Sequence, residues 1–143
     1  MRKRLMLAIG MLLAAAFAAK LFYDTPVPVL DHPADVRSVR FSAVPAGEYP
    51  LALVDLSDEV DGDAVIQLLH SSTRSSWKQE CLPYELSPGE INIDMHVEGK
   101  GPLHVILGGS KGALNVVYSS AEEGCYEIHN SDALRAELAA LLP

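Results

Sequence analysis

Five histidines, two cysteines and 19 acidic side chains are the groups in this 143-residue chain from which a reactive or ligating site would be built. His96 and His104 lie on the two arms of a hairpin pattern. Ile91, Ile93, Met95 and Val97 alternate with Asn92, Asp94, His96 and Glu98, then Gly99-Lys100-Gly101-Pro102 supplies a turn before Leu103–Leu107. If Val97 pairs with Leu103, His96 faces His104 across the strands and Asp94 faces Ile106. Directly opposed residues hold their Cβ atoms about 5 Å apart. Two imidazoles so placed would fill two positions on zinc or copper, with Asp94 or Glu98 close by. Two ligands do not complete a site, and a pair of ordinary surface histidines is the simpler account of the same pattern.

Other candidate chemistry thins out under the same test. Asp58, Glu59, Asp61 and Asp63 crowd together, but a calcium loop of the EF-hand type needs alternating oxygen ligands and a closing Glu, and none follows before Glu80. The cluster reads instead as a solvated helix start, where carboxylates suit the positive end of the helix dipole. Gly108-Gly109-Ser110-Lys111-Gly112 fails the phosphate-loop spacing and joins two strands, so it reads as a hairpin turn. A nucleophile elbow, H-E-x-x-H and S-x-x-K are all missing. Carboxylates are plentiful, yet acid–base work needs a pair set in a cleft, and nothing in the spacing sets one.

The first residues are an address. Met1-Arg2-Lys3-Arg4 is basic, and Leu5 to Ala19 follows with no charged side chain. That is the layout of an export signal, and Ala16-Phe17-Ala18 offers a cleavage site after Ala18. The competing reading is an uncleaved anchor over residues 5–23, with Lys20 reaching for the headgroups. As a helix, Leu5–Ala19 would span about 22 Å, short of a hydrocarbon core of roughly 30 Å. Length therefore favours cleavage.

Charge and cysteine use fit that destination. The chain carries a net charge of −8. Loss of residues 1–18 also removes Arg2, Lys3 and Arg4, which makes the remainder more acidic still. Such a balance repels nucleic acid and anionic lipid headgroups. Cys81 and Cys125 are the only cysteines, and in an oxidising compartment they are expected to pair. Closing a loop of about 45 residues stabilises by about 4 kcal/mol in the chain-entropy picture. The apolar run is not followed by a cysteine that could carry a lipid.

The elements that must position these groups follow from periodicity. Residues 19–34, with Pro26, Pro28 and Pro33, read as an extended tether. Residues 35–143 form a single domain. Strands are expected at Val36–Phe41 and Tyr49–Leu56, and a helix at about Asp63–Ser71. A four-strand antiparallel meander follows, made of Ile91–Val97, Leu103–Leu107, Ala113–Ser119 and Cys125–Ile128. Its inward residues are expected to be Ile91, Ile93, Met95, Val105, Leu107, Leu114, Val116, Tyr118, Tyr126 and Ile128. A last helix begins at Asn130 or Ser131, with Leu134, Leu138 and Leu141 on one stripe. Trp77 reads first as a lid over the helix end, and second as an exposed aromatic anchor for a partner.

The sum is an α+β fold: an antiparallel meander of four to six strands with two short helices on one face. In its order of leader, strand Val36–Phe41, helix Ala64–His70, hairpin Ile91–Leu107, Cys125-Tyr126-Glu127-Ile128 and leucine-rich final helix, the chain resembles small exported bacterial domains of unknown function. The likeness covers residues 35–142. Those domains commonly occur as extracytoplasmic lipoproteins, a mode of attachment for which this chain lacks the cysteine.

The function expected from the sequence is a non-enzymatic extracytoplasmic module, periplasmic or secreted, that binds an envelope protein or a small ligand without a cofactor. An exported zinc- or copper-binding protein using His96 and His104 is the first alternative. A small hydrolase with an unrecognised site is the second.

Overall fold

The structure is a computed structural model that describes residues 2–81, 85–109, 115–120 and 122–143. Helix α1 (Arg2–Tyr23) is built from Leu, Ala and Met, the residues with the least to lose in a helix. Its side chains from Leu5 to Leu21 are almost all exposed. Among the described residues, no helix is long and apolar enough to cross a membrane.

The segment expected to be a tether is instead packed onto the domain. Strand β1 (Val27–Pro28) pairs antiparallel with β4 (Thr73–Arg74). Val29 donates its N–H to the Ser72 carbonyl, and the His70 Nδ1 lies 2.8 Å from the Leu30 carbonyl oxygen. Val29 and Leu30 are buried in the core. Proline content favours extension, which β1 shows over Val27–Pro28 alone, since Pro33 opens a 3-10 turn over Pro33–Asp35, and it says nothing about docking. The apolar pair Val29-Leu30 supplies that, because burying two such side chains outweighs leaving the segment loose.

Strand β2 (Val36–Ala43) meets a short β3 (Val54–Asp55), which is all that forms of the strand expected over Tyr49–Leu56. Helix α2 (Gly62–Ser71) begins where the acidic cluster predicts. The Asp61 carboxylate accepts from the N–H groups of Asp63 and Ala64 at 3.0 and 3.3 Å. Strands β5 (Ile91–Val97), β6 (Gly101–Leu107), β7 (Asn115–Ser119) and β8 (Gly124–Glu127) form the meander, and α3 (Ser131–Ala139) closes the chain. The six-stranded sheet runs β3-β2-β5-β6-β7-β8, every pair antiparallel.

One face of this sheet carries both helices. Phe41, Ile93, Val105, Val117 and Tyr126 form a row across it, and Val65, Leu69, Leu134 and Leu138 from the helices close the same core. The α+β architecture is as the sequence predicts. Strand β7 differs in phase. Val117, not Val116, faces the helices, so Val116 and Tyr118 lie on the opposite face with Cys125. Successive valines give β7 apolar residues on both faces, and alternation cannot then choose between them. Leu114 and the turn residues 110–112 lie outside the described residues.

The meander's far edge is sealed. Ser75 and Gln79 donate backbone N–H groups to the carbonyls of Glu127 and Cys125, both at 2.9 Å. Cys81 and Cys125 are joined in a disulfide with Cα atoms 5.3 Å apart, which pins the 75–81 segment along β8. Such bonds form and persist in oxidising compartments outside the cytoplasm.

Candidate functional site

The hairpin that carries the two histidines has a shorter loop than expected. Val97 pairs with Gly101, not with Leu103, so the loop is Glu98-Gly99-Lys100, closed by Lys100 N–H donating to the Val97 carbonyl at 3.1 Å. Gly99 and Gly101 take φ of 75° and 76°, the left-handed region that glycine enters without penalty. Pro102 sits inside β6 rather than ending the turn. Its carbonyl points toward Ser120, on the β7 side, so its missing N–H takes nothing from the ladder with β5. The register therefore moves by two residues, every side chain keeps its face, and every partner changes.

His104 now opposes Asp94, and His96 opposes Pro102. The His104 Nδ1 is 2.6 Å from the Asp94 Oδ1. His96 lies beside Ser38 of β2 on its other flank. The two histidines are thus diagonal neighbours rather than a facing pair. Among the described residues, no three of His, Cys, Asp and Glu cluster closely enough to hold a metal ion.

Registry extends the Asp94–His104 pair into a row across the sheet's outer face: Arg40, Asp94, His104, Tyr118 and Cys125. The imidazole stacks on the Tyr118 ring with centroids 6.0 Å apart and planes at 27°. At the other end, Arg40 Nε donates to Asp55 at 3.0 Å. The Ser57 hydroxyl, 2.5 Å from the other Asp55 oxygen, is the chief reason that this carboxyl is held below its ordinary range. A second row, Ser42, Asn92, Ile106 and Val116, runs alongside.

Asp94, His104 and Tyr118 of the first row and Ser42, Asn92, Ile106 and Val116 of the second floor a cleft of about 390 Å³, bounded by Leu53 on one side and by Cys81 and Cys125 on the other. Val116 is only 3% exposed and Cys125 only 5%, so part of the sheet's second face is dry as well. A neutral imidazole in this geometry carries its proton on Nδ1, toward Asp94, and presents Nε2 as an acceptor. The site therefore offers an apolar floor, one oriented imidazole, a phenol and one carboxylate, Asp94.

Trp77 is not the lid it was expected to be. It is 53% exposed, and its backbone N–H donates to the Ser75 hydroxyl at 3.1 Å. It stands on the sealing segment beside β8, and it does not line the cleft. Sequence reading missed a second polar cluster, where Asp24 accepts from the Ser75 hydroxyl at 2.8 Å and the Ser76 N–H at 3.0 Å. The Ser75 hydroxyl bond is the largest cause of a lowered Asp24 pKa, and His129 at 3.7 Å adds to it. Asp24 is 51 residues from Ser75, so no local motif could have signalled the contact. Tyr118 and Asn92 were visible only as alternating residues, and the β7 phase hid one of them.

No family model, no curated protein and no solved structure matches the chain.

Proposed function

We propose that this chain is an extracytoplasmic, non-enzymatic binding module whose ligand lies in the cleft over the outer sheet face. The observation that carries the reading is that cleft: a half-dry antiparallel face, where such a face is ordinarily solvated, floored by Ile106 and Val116 and edged by Asp94, His104 and Tyr118. Apolar burial supplies affinity there, and the oriented imidazole and phenol fix the ligand's polar end. The Asp94–His104 pair has no hydroxyl or thiol nucleophile hydrogen-bonded to it among the described residues, which favours binding over acyl transfer.

The leader Met1–Ala18 and the Cys81–Cys125 bond support a location beyond the cytoplasmic membrane, as a periplasmic or secreted domain after cleavage, or as an anchored one without it. Native mass spectrometry of the protein purified from the cell envelope tests the reading. The wild type is expected to carry a non-covalent small molecule, and Val116→Trp, which fills the cleft, is expected to release it while the disulfide stays intact. A bare wild-type mass, with no perturbation of Ile106, Val116 or Tyr118 by a small-molecule screen, would reject it.

A further inference from the structure

The two edges of the six-stranded sheet are finished differently. The β8 edge is covered by residues 75–79 and stapled by the disulfide. The β2 edge is covered only at one end, because β3 pairs with Ser42 and Ala43 alone. One step further, the Phe41 N–H donates to the Ser57 hydroxyl at 3.0 Å and the Phe41 carbonyl accepts from Leu56 at 2.8 Å. Phe41 thus turns its backbone groups away from β5. By the alternation of an antiparallel ladder, Val39 turns its N–H and carbonyl the same way. The covering chain leaves there, since Leu56 accepts from Glu59 and the backbone turns toward α2. From Val36 to Val39 this edge has no strand beside it among the described residues.

The side chains at the opening are selective. Val39 is half-buried against the core, so an added strand gains apolar contact on the inner side. Arg37 and Arg40 flank it, both well exposed, and each is paired to a single carboxylate, Glu98 and Asp55. A second copy of β2 laid antiparallel would bring the exposed arginines of both copies to one seam. An extended segment with acidic residues on the arginine side and apolar residues on the Val39 side sets opposite charges together there.

We propose that the open β2 edge is a docking site for an extended segment of a partner protein that alternates acidic and apolar residues, taken up as an added strand. Main-chain bonds to Val39 would supply affinity, and Arg37 and Arg40 the choice of partner. This surface is separate from the cleft and stands independently of it.

The test uses the full chain and two end-capped eight-residue peptides, one alternating Val with Glu and one alternating Val with Lys. Binding is read from the backbone amide signals of Ser38 and Val39 in NMR titrations. The Glu peptide is expected to shift these signals, and the Lys peptide to bind about tenfold more weakly or not at all. Val39→Pro removes a donor that serves no ladder bond, so it should keep the fold and abolish the shift. Arg37→Gln with Arg40→Gln leaves the backbone edge intact and should erase the preference between the peptides. Three results would overturn the proposal: no shift on β2 with either peptide, equal binding of both by the wild type, or self-association through β2 in sedimentation that Val39→Pro abolishes. The last would name a second copy as the occupant.

Discussion

Asp24 shows how a single side chain can fix the entry to the domain. It caps the Ser75-Ser76 turn by accepting hydrogen bonds from both hydroxyls and from the Ser76 N–H. Its folded pKa lies below the ordinary 3.8, so the unfolded chain binds the proton more readily. The resulting stability is present above that ordinary value and is lost as pH falls through the folded one. Asp55, lowered chiefly by the Ser57 hydroxyl, contributes with the same sign. Thermal unfolding followed below pH 4 should therefore show falling stability, and Asp24→Asn should lessen that fall. Tyr126 acts with the opposite sign. Burial, then the Glu122 charge, raise its pKa above 10.0, so its contribution is complete below that value and lost as pH rises through the folded one. Tyr126→Phe is expected to remove part of the alkaline limb of the same titration.

At the scale of elements, two local features decide what faces what. The Asp61 cap starts α2, and Asp61→Ala should cost about 1 kcal/mol in chemical denaturation. The three-residue hairpin loop sets the β5–β6 register. Gly101→Ala should cost about 1–2 kcal/mol for the left-handed backbone alone, and its Cβ would lie 3.2 Å from the Ser120 hydroxyl oxygen. An intact fold with unchanged stability would show that the register is held elsewhere. The same loop shows what the chain's letters reveal. Alternation in Ile91–Val97 and capping at Asp61 were legible, because one residue's neighbours settle each of them. Loop length was not, because Gly99, Gly101 and Pro102 are compatible with both a three-residue and a five-residue connection. Face assignment survived that two-residue slip, but the His96–His104 pairing did not. In β7 the consecutive apolar residues Val116 and Val117 erase the period, and there the face itself was lost. Docking of Val29-Leu30 depends on residues some forty positions away, which no window along the chain contains.

Across the whole molecule, one sheet divides labour between its faces. The inner face is sealed by α2 and α3, with Leu69 and Leu138 wholly excluded from water, and Leu138→Ala should cost about 2–5 kcal/mol in equilibrium unfolding. The outer face is held open between Leu53 and the disulfide. That bond spans 44 positions, so its replacement by Cys81→Ser and Cys125→Ser should destabilise by up to about 4 kcal/mol. It should also loosen one wall of the cleft. The staple and the half-dry outer face support the proposed reading of a domain that holds a ligand. Amide NMR of the native full chain, compared before and after stripping of bound small molecules and again on their return, reads this directly. The account predicts reversible shifts confined to the rows Asp94–Cys125 and Ser42–Val116, absent in Val116→Trp. Shifts that fall on α2 and α3, or a spectrum unchanged throughout, would contradict it.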